Sequence, residues 1–243
     1  MATTEQLKQW HSYGYDSGMV LRRLPDRRRR GEERVIGGSY RRFFMKAARP
    51  HLKPTSTVLE LGPGRGSWTR ALLRYVPQGR VHTVDLLDVT PWLQPERYDG
   101  RLVCHQADDN SFSVLEDGSI DFFFSFGVLC HNTAPAIGEI MRGALAKMRP
   151  GAIAVHEYGD WRKLERLGWT DDRHGVPAFC RDLPDEDPRN CWPRNDPDTM
   201  AAVCREAGWV VEEADLGLFG RDSVIRLRAP GSDRAPEQPA AET

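Results

Sequence analysis

Apolar and polar positions along this chain follow two different periods. Val35, Ile36, Tyr40, Phe43, Phe44 and Ala47 recur at helical spacing over 33–52, and Pro50 and Pro54 mark the end of that segment. Beyond Pro54 short apolar runs alternate with helical stretches. Thr57–Leu61 reads as a buried strand, 67–76 as a helix, 80–84 as a second strand and 101–105 as a third. Residues 120–126, almost wholly apolar, make the fourth strand expected where helices cover both faces of a sheet. A helix over 134–148, stopped by Arg149-Pro150-Gly151, leads to a fifth strand at 152–156. Helical spacing returns at 198–207, followed by strands at 209–213 and 223–228. This alternation predicts an α/β fold, a doubly wound and mostly parallel sheet whose ligands bind at the carboxyl ends of the strands.

Two stretches break the rhythm. Residues 160–195, rich in Pro, Asp, Arg and Trp, show neither period and read as an inserted lid or substrate loop. The Pro- and Ala-rich tail over 229–243 reads as frayed. With 243 residues, the expected organisation is one α/β domain over 55–228, a helical arm over 1–54 and the tail. The arm is basic: the first 50 residues hold twelve Lys and Arg against five Asp and Glu, whereas the whole chain has 34 against 35. Its densest part, LRRLPDRRRRGEER, reads as a solvated helix-loop-helix connection or as a site for an anionic acceptor. The absence of an overall basic excess removes nucleic acid as a default partner.

No apolar run approaches the roughly 18 residues that a membrane span needs, and the first residues lack a signal-peptide core, so a soluble, cytoplasmic protein is expected. The five cysteines form no C-x-x-C pair and read as reduced packing residues. A zinc set of Cys180, Cys191, Cys204 and His174 matches no finger or knuckle spacing, so no metal is expected.

The chemistry concentrates in VLELGPGRGSW. A strand ending in Glu60 runs through Gly62, Gly64 and Gly66 into a helix, which allows a sharp turn and offers unpaired N–H groups to a ligand. Dinucleotide enzymes share such a turn, but their third glycine would fall at Ser67. A carboxylate at Glu60 suits an ammonium group better than a pyrophosphate. The acidic loop HQADDNSF after the third strand suits an exocyclic amine.

From Val58 to Asp160 the chain resembles the class I S-adenosylmethionine-dependent methyltransferases. The resemblance implies a Rossmann-like seven-stranded sheet closed by an antiparallel strand pair. It implies that Glu60, Gly62, Gly64 and Gly66 cradle the methionine end of the cofactor, with Trp68 beside them. Asp85 in VHTVDLL would bind the ribose hydroxyls, with Leu86 beside the adenine, and Asp108 would reach the adenine amine. Ser125 and Phe126 would line the cofactor. Asp109 stands where a glycine is common, which leaves the adenine loop open to a different construction, and Trp10, Tyr13 and Tyr15 fit a closing lid as well as helix packing.

Trp68-Thr69 and His131 make the chain look most like bacterial small-molecule and sugar methyltransferases of natural-product pathways. The expected reaction is methyl transfer to a small molecule, most simply at a hydroxyl. His131 and His156, placed just beyond the fourth and fifth strands, are the candidate bases, or else satisfied structural histidines. The alternatives at this point are nitrogen or carbon methylation, a cyclase or accessory protein on the same fold, and a nicotinamide-dependent oxidoreductase. Expected partners are a small-molecule acceptor and a second copy of the chain, without nucleic acid or membrane.

Overall fold

A computed structural model describes residues 18–107, 109–169 and 175–231. The expectations for Trp10, Tyr13, Tyr15, Asp108 and His174 therefore lie outside the described residues. Seven strands form one sheet in the order β3-β2-β1-β4-β5-β7-β6. They are β1 (Thr57–Leu61), β2 (Arg80–Asp85), β3 (Leu102–Gln106), β4 (Ile120–Ser125), β5 (Met148–Gly159), β6 (Val210–Glu213) and β7 (Asp222–Arg228). All pairings from β3 to β5 are parallel, and β7 runs antiparallel to both β5 and β6.

Both faces are covered. On one, Val58, Phe122, Phe124 and Val155 pack against α1 (Arg27–Ile36), α2 (Tyr40–Phe43) and α3 (Ser67–Tyr75). On the other, Leu59, Phe123, Ala154 and Ile225 pack against α5 (Ala134–Lys147) and α7 (Pro197–Glu206). Burial on both sides is why β4 reads as a continuous apolar run. A short helix α4 (Thr90–Leu93) links β2 to β3, and α6 (Trp161–Arg166) follows β5.

Three expectations are corrected. The helical pattern over 33–52 is not one helix: Gly37, at φ 74°, ends α1, and Ser39 caps α2, which continues as a wide turn over Phe44–Ala48 and a tight one over Arg49–His51. The arginine-rich run is not a connection between helices. Asp26 accepts from Arg29 N and starts α1 there, and Arg29 itself is buried with its guanidinium on Met19 O and Arg22 O. The fifth strand is longer than 152–156, because the antiparallel ladder to β7 carries pairing on to Gly159 opposite Asp222.

The segment from α6 onward forms a small core with Cys130 of the turn after β4, built from Trp161, Leu164, Trp169, Val176, Cys180 and Trp192. Its tryptophans, Trp161, Trp169 and Trp192, are spread along the chain without a period, so the pattern carried no signal of it.

Candidate active site

The carboxyl ends of β1 and β2 place two acids side by side. Glu60 is almost fully buried in β1, in register with Thr83, and β2 ends at Asp85. Burial, reinforced by the Asp85 charge, pushes the Glu60 carboxyl up to about 8, while the Thr69 hydroxyl and Arg70 pull it back. Glu60 Oε2 is buried without a hydrogen-bond partner among the described residues. One Asp85 oxygen accepts from Leu87 N at 3.0 Å, which fixes the carboxylate at the mouth of the turn. An orphaned buried carboxylate oxygen marks a place that a donor group must fill.

The glycine turn closes over these acids. Gly62, at φ 64°, donates to Val84 O at 2.9 Å, and a Cβ there would lie 2.4 Å from Val128 Cγ2. Only glycine lets the turn after β1 pass so close to the turn after β4. Gly64 and Gly66 also have positive φ, and Gly66 stands at the head of α3. Arg70 clamps the turn by donating to Arg65 O at 2.9 Å and Gly18 O at 3.2 Å.

Leu86 lies half-buried past β2, its carbonyl accepting from Gln106 Nε2 at 3.1 Å. Asp109 is engaged in its own turn, accepting from Ser111 N at 2.8 Å and Ser111 Oγ at 2.6 Å. Trp68 sits in an aromatic cluster with Tyr40, Phe43, Phe124 and Phe126, its ring centroid 4.6 Å from that of Phe126. The cluster backs the glycine turn and presents half-buried Phe126 at the sheet edge.

The two histidines occupy different settings. His156 is not beyond the fifth strand but inside it, in register with Ser125 and Ile225. Its ring is fully buried, hydrogen-bonded to Ser125 Oγ at 2.8 Å and edge-on to Phe123, and burial lowers its pKa to about 3. The Ser125 hydroxyl is thereby committed to His156. His131 ends a tight turn (Leu129–His131) above β4, with Nδ1 2.7 Å from the Cys191 carbonyl oxygen and its ring edge-on to Trp192. A carbonyl only accepts, so Nδ1 carries the hydrogen and Nε2 presents a lone pair. Burial, with a smaller contribution from Arg221, lowers the His131 pKa and keeps the ring neutral at neutral pH.

Sequence reasoning missed the groups around His131. Glu157 accepts from Gly127 N at 2.7 Å, and burial beside Asp222 holds its carboxyl well above the usual range. Arg221 grips Asp222 through Nε at 2.7 Å and lies 4.8 Å over the Trp192 ring. Asn132 Oδ1, Asn195 Oδ1 and Trp192 Nε1 are buried without partners among the described residues. The available signal was a set of charged residues, Glu157 and Asp222, at the ends of apolar strands.

Of the buried polar atoms without a hydrogen-bond partner among the described residues, Glu60 Oε2 lies near the end of β1, whereas Asn132 Oδ1, Asn195 Oδ1 and Trp192 Nε1 lie past β4. A family model described as a methyltransferase domain matches residues 27–214. The chain belongs to that methyltransferase family. As a methyltransferase it takes S-adenosylmethionine as its cofactor, and the glycine turn, the orphaned Glu60 oxygen and Asp85 fit that group.

No curated protein matches the methyltransferase chain. Among solved structures, a methyltransferase from Aquifex aeolicus is similar at 15% identity and TM-score 0.57, over 81% of this chain and 93% of that one. A protein from Pyrococcus horikoshii OT3 is similar at 14% identity and TM-score 0.61, over 94% of this chain and 100% of that one. The 1,6-didemethyltoxoflavin N1-methyltransferase of Burkholderia thailandensis, with S-adenosylhomocysteine bound, is similar at 17% identity and TM-score 0.53, over 72% of each chain. Each likeness is one of fold. The oxidoreductase alternative falls with the family match.

Among the described residues, no helix is long and apolar enough to cross a membrane, and no three His, Cys, Asp or Glu side chains are grouped to hold a metal ion. Cys204 is a buried residue of α7, packed against the sheet and α5, apart from Cys180 and Cys191 in the small core.

Proposed function

We propose that this methyltransferase acts on a hydroxyl of a small molecule, with His131 Nε2 taking the proton. The observation that carries this reading is the 2.7 Å contact between His131 Nδ1 and the Cys191 carbonyl, which leaves the lone pair on the other nitrogen. S-adenosylmethionine, when bound, supplies a methyl group already activated on a sulfonium. Glu60 and the glycine turn would hold its ammonium end, Asp85 its ribose hydroxyls, Leu86 and Phe126 its flanks, and Asp108 its adenine amine.

What remains for the protein is to align the acceptor, exclude water and remove a proton. Asn132, Asn195 and Trp192 carry unmet hydrogen-bonding capacity past β4, and we assign them to the acceptor. His156 is not assigned to the proton, because its ring is fully buried and hydrogen-bonded to Ser125 Oγ.

Solved neighbours of the fold include a toxoflavin-type N1-methyltransferase, a carbon methyltransferase and an O-methyltransferase family protein, so the fold alone does not select the acceptor atom. The lone pair on His131 favours a hydroxyl, since a neutral amine reacts without prior proton loss. We place the reaction in natural-product biosynthesis, in keeping with the resemblance to small-molecule methyltransferases. The test is incubation of the full chain with S-adenosylmethionine and a metabolite panel, read by S-adenosylhomocysteine release and by products one methylene heavier. Turnover of hydroxylated acceptors is the expected result. Turnover confined to amines or carbon acids would overturn the assignment.

A further inference from the structure

Cys180 and Cys191 meet in the inserted segment with their sulfur atoms 3.6 Å apart, both as free thiols. Among the described residues no other pair of cysteine sulfurs is within hydrogen-bond reach of each other. The loop itself builds the contact. Arg194 donates to Arg181 O at 2.8 Å and to Leu183 O at 2.9 Å, and Asn190 Nδ2 reaches Pro184 O at 3.2 Å, so the ends of the segment are already tied. Cys180 is fully buried, whereas Cys191 is only half-buried. Past Asp182 the chain holds neither helix nor strand until α7, so it can yield the further approach to the S–S length of about 2.05 Å.

We propose that Cys180 and Cys191 form an oxidation site, which a small disulfide such as oxidised glutathione converts to an intrachain disulfide that resets the loop holding His131. The more accessible Cys191, as thiolate, attacks one glutathione sulfur and releases one reduced glutathione. Cys180, as thiolate, then attacks the Cys191 sulfur and releases the second. Two protein thiols give up two electrons and two protons, and one oxidised glutathione becomes two reduced ones. Burial and the Cys180 thiol push Cys191 up to about 12, so the pair rests as two thiols at neutral pH and exchange quickens as pH rises.

The consequence for the site follows from the backbone. The Cys191 carbonyl is the acceptor for His131 Nδ1, and the next residue, Trp192, packs against the same ring. Drawing the Cys191 sulfur toward Cys180 moves the carbonyl that orients the histidine. The effect on catalysis rests on the reading of His131 as the base, whereas the disulfide does not.

The test uses the reduced full chain and oxidised glutathione at mildly alkaline pH, followed by intact mass and a non-reducing digest. The expected product is two hydrogens lighter and joins the peptides carrying Cys180 and Cys191. Cys180→Ser should stop at a glutathione adduct on Cys191, and Cys191→Ser should give neither species. Thiols that persist in the folded protein, while the urea-unfolded chain oxidises, would overturn the site. So would stoichiometric zinc in the purified protein that is lost in Cys180→Ser. Coupling to His131 is read by diethylpyrocarbonate labelling of that residue: a changed rate in the oxidised protein supports it, and equal rates overturn it. Neither readout needs a known acceptor, so failure of the base assignment and failure of this site are separable.

Discussion

His131 Nδ1 and the Cys191 carbonyl oxygen lie 2.7 Å apart, sixty residues distant in the chain. The contact ties the turn after β4 to the segment between α6 and α7 and decides which ring nitrogen carries the hydrogen. Proton removal by such a group contributes about 10² to 10⁴ in rate. His131→Ala should therefore lower kcat by about that factor while S-adenosylhomocysteine affinity, measured by calorimetry, stays at the parent value.

The pH profile gives a second check on the same residue. A base works when unprotonated, and the His131 pKa lies below its ordinary 6.5. In the parent, kcat should be flat through neutral pH and fall only on the acid side of 6.5. His131→Asn keeps a polar side chain without a titrating nitrogen, so that acid limb should vanish along with most of the rate. An unchanged limb would assign it to another group.

Asp85 should carry much of the cofactor affinity. Asp85→Ala removes a charged hydrogen-bond partner from buried hydroxyls, a loss on the order of 1.5–3 kcal/mol in S-adenosylhomocysteine binding. Gly62→Val should act through shape, since even a Cβ would meet Val128 Cγ2 at 2.4 Å and the backbone is at φ 64°. It is expected to reduce both thermal stability and cofactor binding, separable by the melting temperature of the ligand-free protein.

The arginine run divides into two kinds of residue. Arg27, Arg28 and Arg30 are exposed, so replacing the three with Gln should leave stability near the parent and raise KM for an anionic acceptor, with the difference fading at high salt. Arg29 is 2% exposed, donates to Met19 O and Arg22 O at 2.7 Å each, and pairs with Glu33. Arg29→Ala should cost about 1–3 kcal/mol of stability, read by chemical denaturation.

The central strands were legible because β1 and β4 are buried apolar runs, and Thr57–Leu61 emerges residue for residue. Glu60, Gly62 and Asp85 were legible for the same reason, since a strand end fixes where its next residues point. Arg29 was not, because periodicity weighs an arginine as polar and does not see the two carbonyls that bury it. Nor was the depth of His156, which depends on β5 pairing with β7, where it stands opposite Ile225. The groups around His131 come from β5, β7 and the inserted segment, and only tertiary contact assembles them.

Glu60 links stability to pH with a sign that can be worked out in advance. Its pKa is about 8 in the fold against an ordinary 4.5. A carboxyl whose folded pKa is raised contributes fully below its unfolded pKa, and that contribution is lost as pH rises from about 4.5 to about 8. The ligand-free protein should therefore lose stability across that window, by an amount on the order of a few kcal/mol. Glu60→Gln keeps the shape of the side chain and cannot ionise, so it should flatten this part of the profile and melt higher than the parent at the alkaline end. The same variant gives up the negative charge that suits an ammonium group, so its S-adenosylhomocysteine binding should weaken where its own stability improves. Melting temperature against pH, with and without S-adenosylhomocysteine, checks both halves. A variant that parallels the parent in both series would place the buried charge elsewhere.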